Sequence, residues 1–154
     1  MVLDMFESLL DELAKALEIE KLTPDENNSC IIKFENELEI QIEPLDTGSF
    51  LFINVDLGEM PPGRYREEVF REALKANGME TPRHGTFCYS DQSDHLMLYK
   101  LIPLQDITGE RVAAFLTPFM EKAVKWKETL ENNEVPVVDT MHTSGVPGGG
   151  MFGM

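Results

Sequence analysis

The chain has 154 residues, 42% hydrophobic and 27% charged, ordinary values for one domain that builds its own core. Its net charge is −15, and residues 1–46 hold thirteen acids against three bases. That field excludes phosphate backbones and anionic membranes as natural partners, and leaves solubility and the attraction of a basic or amphipathic polypeptide as its uses.

Residues 3–19 read as an amphipathic helix, with Leu3, Phe6, Leu10, Leu13 and Leu17 at helical spacing and Leu9, Ala14 and Ala16 widening the stripe. Asp4, Glu7, Asp11 and Glu12 interrupt the apolar run that a signal peptide would need, so a cytoplasmic protein is expected. Thr23-Pro24-Asp25 then breaks the helix. Two alternating strands follow, with Cys30, Ile32 and Phe34 on one face of the first and Leu38, Ile40 and Ile42 on one face of the second. Glu35-Asn36-Glu37 is short enough for a hairpin link, and Asp46-Thr47-Gly48-Ser49 supplies a turn after Pro44. The strand 50–57 sets Leu51, Ile53, Val55 and Leu57 against Phe50 and Phe52, and closes at Gly58 and Met60-Pro61-Pro62-Gly63.

A second helix is expected over 64–77, with Tyr65, Val69, Phe70, Ala73 and Leu74 on one stripe and Gly78 as its left-handed stop. Strands 86–90 and 95–102 flank the turn Asp91-Gln92-Ser93-Asp94. The last helix, 108–132, starts at the N-cap Thr108 and carries Val112, Phe115, Phe119, Ala123, Trp126 and Leu130. Pro118 removes a backbone donor there and is expected to kink or split it. Residues 1–133 thus form one α+β domain, an antiparallel sheet flanked by three helices in the order α-β-β-β-α-β-β-α. The glycine-rich stretch 134–154 is a flexible tail.

Chemistry is sparse. Cys30 and Cys88 form no CxxC and are expected as buried thiols in a reducing compartment. The best catalytic constellation is Cys88 with His84 and His95, near Asp91 and Asp94, and it lacks an activating signature. The tail has no GK[ST] and is no phosphate loop. No catalytic residue, metal site or cofactor is expected.

Several segments together resemble the class I type III secretion chaperones, the CesT-like family. They are the leucine-rich opening helix from Phe6 to Leu17, Leu57-Gly58-Glu59-Met60-Pro61, and Leu74-Lys75-Ala76-Asn77-Gly78. Gly85 to Tyr89, Met97 to Leu104, and Phe115 to Trp126 with its single tryptophan complete the set. The resemblance covers residues 1 to about 133; the tail and Pro118 depart from it. It implies a cytoplasmic bacterial homodimer that binds the N-terminal chaperone-binding region of secreted effectors and keeps it extended for export, with the secretion apparatus as a further partner. The candidate effector surface is Leu3, Phe6, Leu10, Leu13 and Leu17 on the first helix, with Ile32, Phe34, Ile40, Ile42, Phe50 and Phe52 on the strands. By the same resemblance the dimer interface is Tyr65, Val69, Phe70, Leu74, Phe87 and Tyr89. The alternative is a regulatory or adaptor domain of the same fold that binds a folded partner.

Overall fold

The computed structural model describes residues 2–34, 38–45, 49–79 and 83–138, with backbone only for 2–4 and 79. The Glu35-Asn36-Glu37 link, residues 46–48 of the predicted turn, and the tail from Asp139 lie outside the described residues. The elements are α1 (Val2–Leu17), β1 (Cys30–Lys33), β2 (Glu39–Pro44), β3 (Phe50–Glu59), α2 (Arg64–Met79), β4 (Thr86–Ser90), β5 (His95–Pro103) and α3 (Gly109–Glu131). This is the expected α+β order. The strands form one sheet, β1-β2-β3-β5-β4, antiparallel at every pairing.

Strand alternation decides the two faces of the sheet. Ile32, Ile40, Ile42, Leu51, Ile53, Val55, Leu57, Leu96, Leu98 and Ile102 all point to one side and are buried. On that side α1 and α3 supply Phe6, Leu10, Leu13, Val112, Leu116, Phe119 and Trp126, which are buried with them. Each such aliphatic side chain contributes about 1.5–3 kcal/mol on leaving water. Phe87 stacks on Trp126 at 4.1 Å between ring centroids and ties β4 to α3.

The helix α2 runs beside β4, burying Val69, Ala73 and Ala76. Its Asn77 closes the edge of the sheet. The Phe87 N–H donates to Asn77 Oδ1 at 2.8 Å, and Asn77 Nδ2 donates to the Phe87 carbonyl at 3.0 Å, so one side chain takes the place of a neighbouring strand.

Two local expectations are corrected, and a third is narrowed. Gly78 is not a left-handed stop: it keeps a negative φ, and α2 continues through Met79 with Asn77 holding its last turn to β4. Gly58 does not end its strand. At φ +123° it forms a β-bulge opposite β5, with its N–H on Asp56 Oδ1 at 2.8 Å, and the strand runs on to Glu59 and the buried Met60. Pro118 does not split α3, which is continuous from Gly109 to Glu131. The carbonyl that loses its donor is that of Ala114, an exposed residue of the helix.

The two terminal helices meet at α3's first residue. Thr108 caps the helix, its Oγ1 accepting from the Arg111 N–H at 3.2 Å, and the Gly109 N–H donates to Glu12 Oε1 of α1 at 2.9 Å. A Cβ on Gly109 would lie 2.4 Å from the Glu12 backbone carbon and 2.5 Å from the Leu13 nitrogen. Gly109→Ala is therefore expected to push α1 off α3 and cost about 1–3 kcal/mol, the usual range for overpacking. A thermal melt within a degree of the parent would show that the helices separate without loss.

Candidate functional site

Three surfaces that carry the expected site residues leave apolar side chains uncovered. The first lies at the rim of α1. Phe6, Leu10 and Leu13, expected to meet a partner, are buried core, because the stripe that makes α1 amphipathic is consumed by α3 and the sheet. Leu17 is half-buried, and the side chain of Leu3 lies outside the described residues. What remains open is the edge of the stripe. Met5, 59% exposed, stands beside Leu9 at a pocket of about 330 Å³ closed by Pro44, Leu104 and Ile107, with Glu12 and Asp106 as its carboxylates.

The second surface is the sheet face turned away from α1 and α3. Ile32, Ile40 and Ile42 are corrected out of it: they are buried on the inner side, and Phe34 is half-buried. Phe50 and Phe52 do lie on the outer face, with Phe50 43% exposed. Register places Leu101 opposite Phe52, Tyr99 opposite Asn54 and Met97 opposite Asp56. Leu101 is 41% exposed, and the Phe52 and Tyr99 rings lie 5.9 Å apart. Ile31 of β1 is exposed on the same face, opposite Gln41.

At β1 the Phe34 N–H donates to the Leu38 carbonyl at 2.9 Å. By the antiparallel alternation, the backbone groups of Ile31 and Lys33 then point away from β2, the geometry an added strand requires. Sequence reasoning missed Ile31, Met97, Tyr99 and Leu101. The alternation of 95–102 was the available signal, but which side is open follows only from the pairing with β3.

The third surface is formed by α2 and β4. Val69 and Phe87 of the expected interface are core, turned inward by helix and strand geometry. Tyr65 and Phe70 are half-buried, Tyr89 is exposed, and Leu74 is 71% exposed. The Phe70 and Tyr89 rings lie 5.1 Å apart, with the Arg66 guanidinium 5.7 Å from the first and 5.5 Å from the second. Tyr89 donates to Asp94, whose carboxylate pushes the phenol pKa up. Residues 134–138, expected as the start of a flexible tail, are instead held along this helix. The Tyr65 hydroxyl donates to the Glu134 carbonyl at 2.7 Å, and burial, then the Glu134 charge, raise its pKa. The Val138 N–H donates to Glu72 Oε1 at 2.8 Å, which holds that carboxyl below its usual range.

The thiol constellation has no activating geometry. His95 Nδ1 lies 2.7 Å from both Asp56 carboxylate oxygens, and its register partner in β4 is Ser90. Cys88 is exposed rather than buried, a correction that follows from strand alternation: Phe87 takes the inward position, so its neighbour turns out. Desolvation raises its pKa, the opposite of what a nucleophile needs. Cys30 is buried, and its pKa is raised by burial and then by Asp25. Among the described residues no group of three or more His, Cys, Asp and Glu is placed to hold a metal ion.

The family model described as the Tir chaperone protein (CesT) family matches residues 8–127. No curated protein matches the sequence. Among solved structures, a chain of the HopA1–SchA chaperone–effector complex superposes with a TM-score of 0.67 at 16% identity, covering 82% of this chain and 95% of its own. The structure of the Yersinia pestis type III secretion chaperone SycH with a stable fragment of YscM2 gives 0.59 at 20% identity, covering 79% and 98%. The Pseudomonas aeruginosa ExoT–SpcS complex gives 0.60 at 14% identity, covering 79% and 96%. At these identities the likeness is one of fold.

Thiol titration checks the site's chemistry. In the native protein one thiol, Cys88, should react with Ellman's reagent, at a rate still climbing at pH 9; Cys30 should react only after denaturation. A rate for Cys88 that levels off near neutrality would reveal an activated thiolate.

Proposed function

The chain belongs to the Tir chaperone protein (CesT) family, and from that premise we propose that it is a type III secretion chaperone that binds the N-terminal segments of secreted effectors in the bacterial cytoplasm. The observation that carries the reading is the apolar strip Phe50, Phe52, Tyr99 and Leu101, with Ile31 apart from it at the β1 edge, on the outer sheet face of a chain with a net charge of −15. Side chains of an extended segment would seat on this strip and in the Met5–Leu104 pocket, while its backbone adds to β1. The acidic field speeds encounter with a basic segment and contributes little to the affinity itself. No bond is made or broken in this work, so the reading needs no catalytic group, nucleotide or metal. Among the described residues no helix is long and apolar enough to cross a membrane.

A second copy of the chain is the proposed occupant of the α2–β4 surface. Leu74 is the most exposed of the candidate contacts, and Phe70, Tyr89 and Arg66 form an aromatic and guanidinium cluster of the kind enriched at interfaces. We take residues 1–133 as the chaperone domain and 134–154 as an appendage to it.

Co-purification from the native cytosol, with limited proteolysis of what is captured, tests the function. Protected segments from the N-terminal regions of secreted proteins support it; an intact folded regulator as the sole partner supports the adaptor alternative. Phe50→Ser with Leu101→Ser should keep the circular dichroism spectrum and weaken client binding about tenfold or more, roughly 1.4 kcal/mol. Unchanged binding in that folded variant would remove the strip from the site. For the dimer, solution mass should be near twice 17.4 kDa, and Leu74→Glu should shift it toward the monomer. A parent protein that runs as a monomer would discard the α2–β4 assignment.

A further inference from the structure

A pocket of about 510 Å³ lies apart from all three surfaces, between the residues before β4, strand β5 and the first half of α3. Arg83, Lys100 and Arg111 come to it from those three separate segments, joined by His84, and among the described residues no carboxylate lines it. Three other pockets each carry at least one acid: Glu12 and Asp106, Glu39 and Asp56, or Glu121. In a chain with 28 acids and 13 bases, three bases and no described acid around one pocket is a local reversal of sign. Arg83, Lys100 and Arg111 make no ion pair with a described residue.

The floor is apolar. Phe115 is partly exposed there beside Ala114 and Pro118, and the Lys100 ammonium lies 5.6 Å from the Phe115 ring centroid. The pocket therefore offers cations for carboxylates and an aromatic floor for an apolar side chain. A bare anion would use the first of these alone; a polypeptide uses both.

We propose that this pocket is a second peptide-docking site, for an acidic polypeptide segment carrying an aromatic or large aliphatic residue. It is independent of the effector reading, since it shares no residue with the outer sheet face or the α1 rim. Its preferred charge is also the opposite of what the rest of the chain attracts.

The test is a titration of the isotope-labelled full-length protein, followed by amide chemical shifts, with the blocked hexapeptide Asp-Glu-Phe-Leu-Glu-Asp. Shifts should cluster at Arg83, Lys100 and the first half of α3, and binding should weaken as salt is added. Lys100→Gln with Arg111→Gln should lower the affinity about tenfold or more, as should Asn and Gln in place of the peptide's acids. Both substituted side chains reach the surface; if that variant fails to fold, Phe115→Ser serves in its place. The proposal is overturned by shifts that cluster elsewhere, by equal binding of the uncharged peptide, or by no shift at millimolar peptide. It is also overturned if inorganic phosphate alone reproduces the shifts, since the pocket is then an anion site.

Discussion

The close crossing of α1 and α3 is the contact on which the rest of the molecule depends. Gly109 and Glu12 are 97 residues apart in sequence and bonded backbone to side chain. The missing Cβ of Gly109 lets the helices approach to backbone distance, and the Glu12 carboxylate meets the positive end of α3. With the helices locked together, one continuous surface of leucine, isoleucine and aromatic side chains can cover the inner face of a five-stranded sheet. A looser crossing would leave part of that face wet and release α1, whose only large apolar stripe is spent there.

Everything available for binding follows from what that packing does not use. The outer sheet face has no described helix against it, so side chains at alternate positions of β3 and β5 remain at the surface. The two sheet edges are treated differently. At β4 the amide of Asn77 takes the outward N–H and C=O of Phe87, while at β1 those of Ile31 and Lys33 point outward. Strand addition is thus opposed at one end and permitted at the other. The Leu-x-Ala-Asn run near the end of α2 acquires a physical reason here: Ala76 packs inward and the next residue reaches the strand.

Carboxylates stand among the exposed apolar residues: Glu43 is opposite Phe52, and Glu12 and Asp106 line the pocket at Met5. Such a surround opposes unspecific sticking between copies and leaves the apolar residues open to a basic partner. A pocket of reversed sign lies between β5 and α3, where three bases distant in sequence are gathered beside Phe115. The proline of α3 belongs to the same place. A residue that looks like a defect in a helical pattern lines that pocket.

The sequence by itself determined the kind and order of the elements, because a period of two or of 3.6 is written locally in residues such as Leu38, Ile40 and Ile42 or Val112, Phe119 and Trp126. It also carried the family, since short runs such as Leu74 to Gly78 survive as strings, and it located the aromatic residues of β3 on the face opposite the aliphatic row. It did not determine which apolar residues stay at the surface. An amphipathic stripe looks alike whether it faces a core or a partner, so Phe6, Leu10, Leu13, Ile32, Ile40 and Ile42 were indistinguishable from binding residues until packing buried them. Conformation at Gly58 and Gly78 likewise depended on neighbours far along the chain, the first on β5 and the second on β4. The accessible set of Met5, Ile31, Tyr99, Leu74 and Leu101 and the basic pocket at Phe115 were decided by tertiary structure alone, because exposure is what remains after every other surface has found its partner.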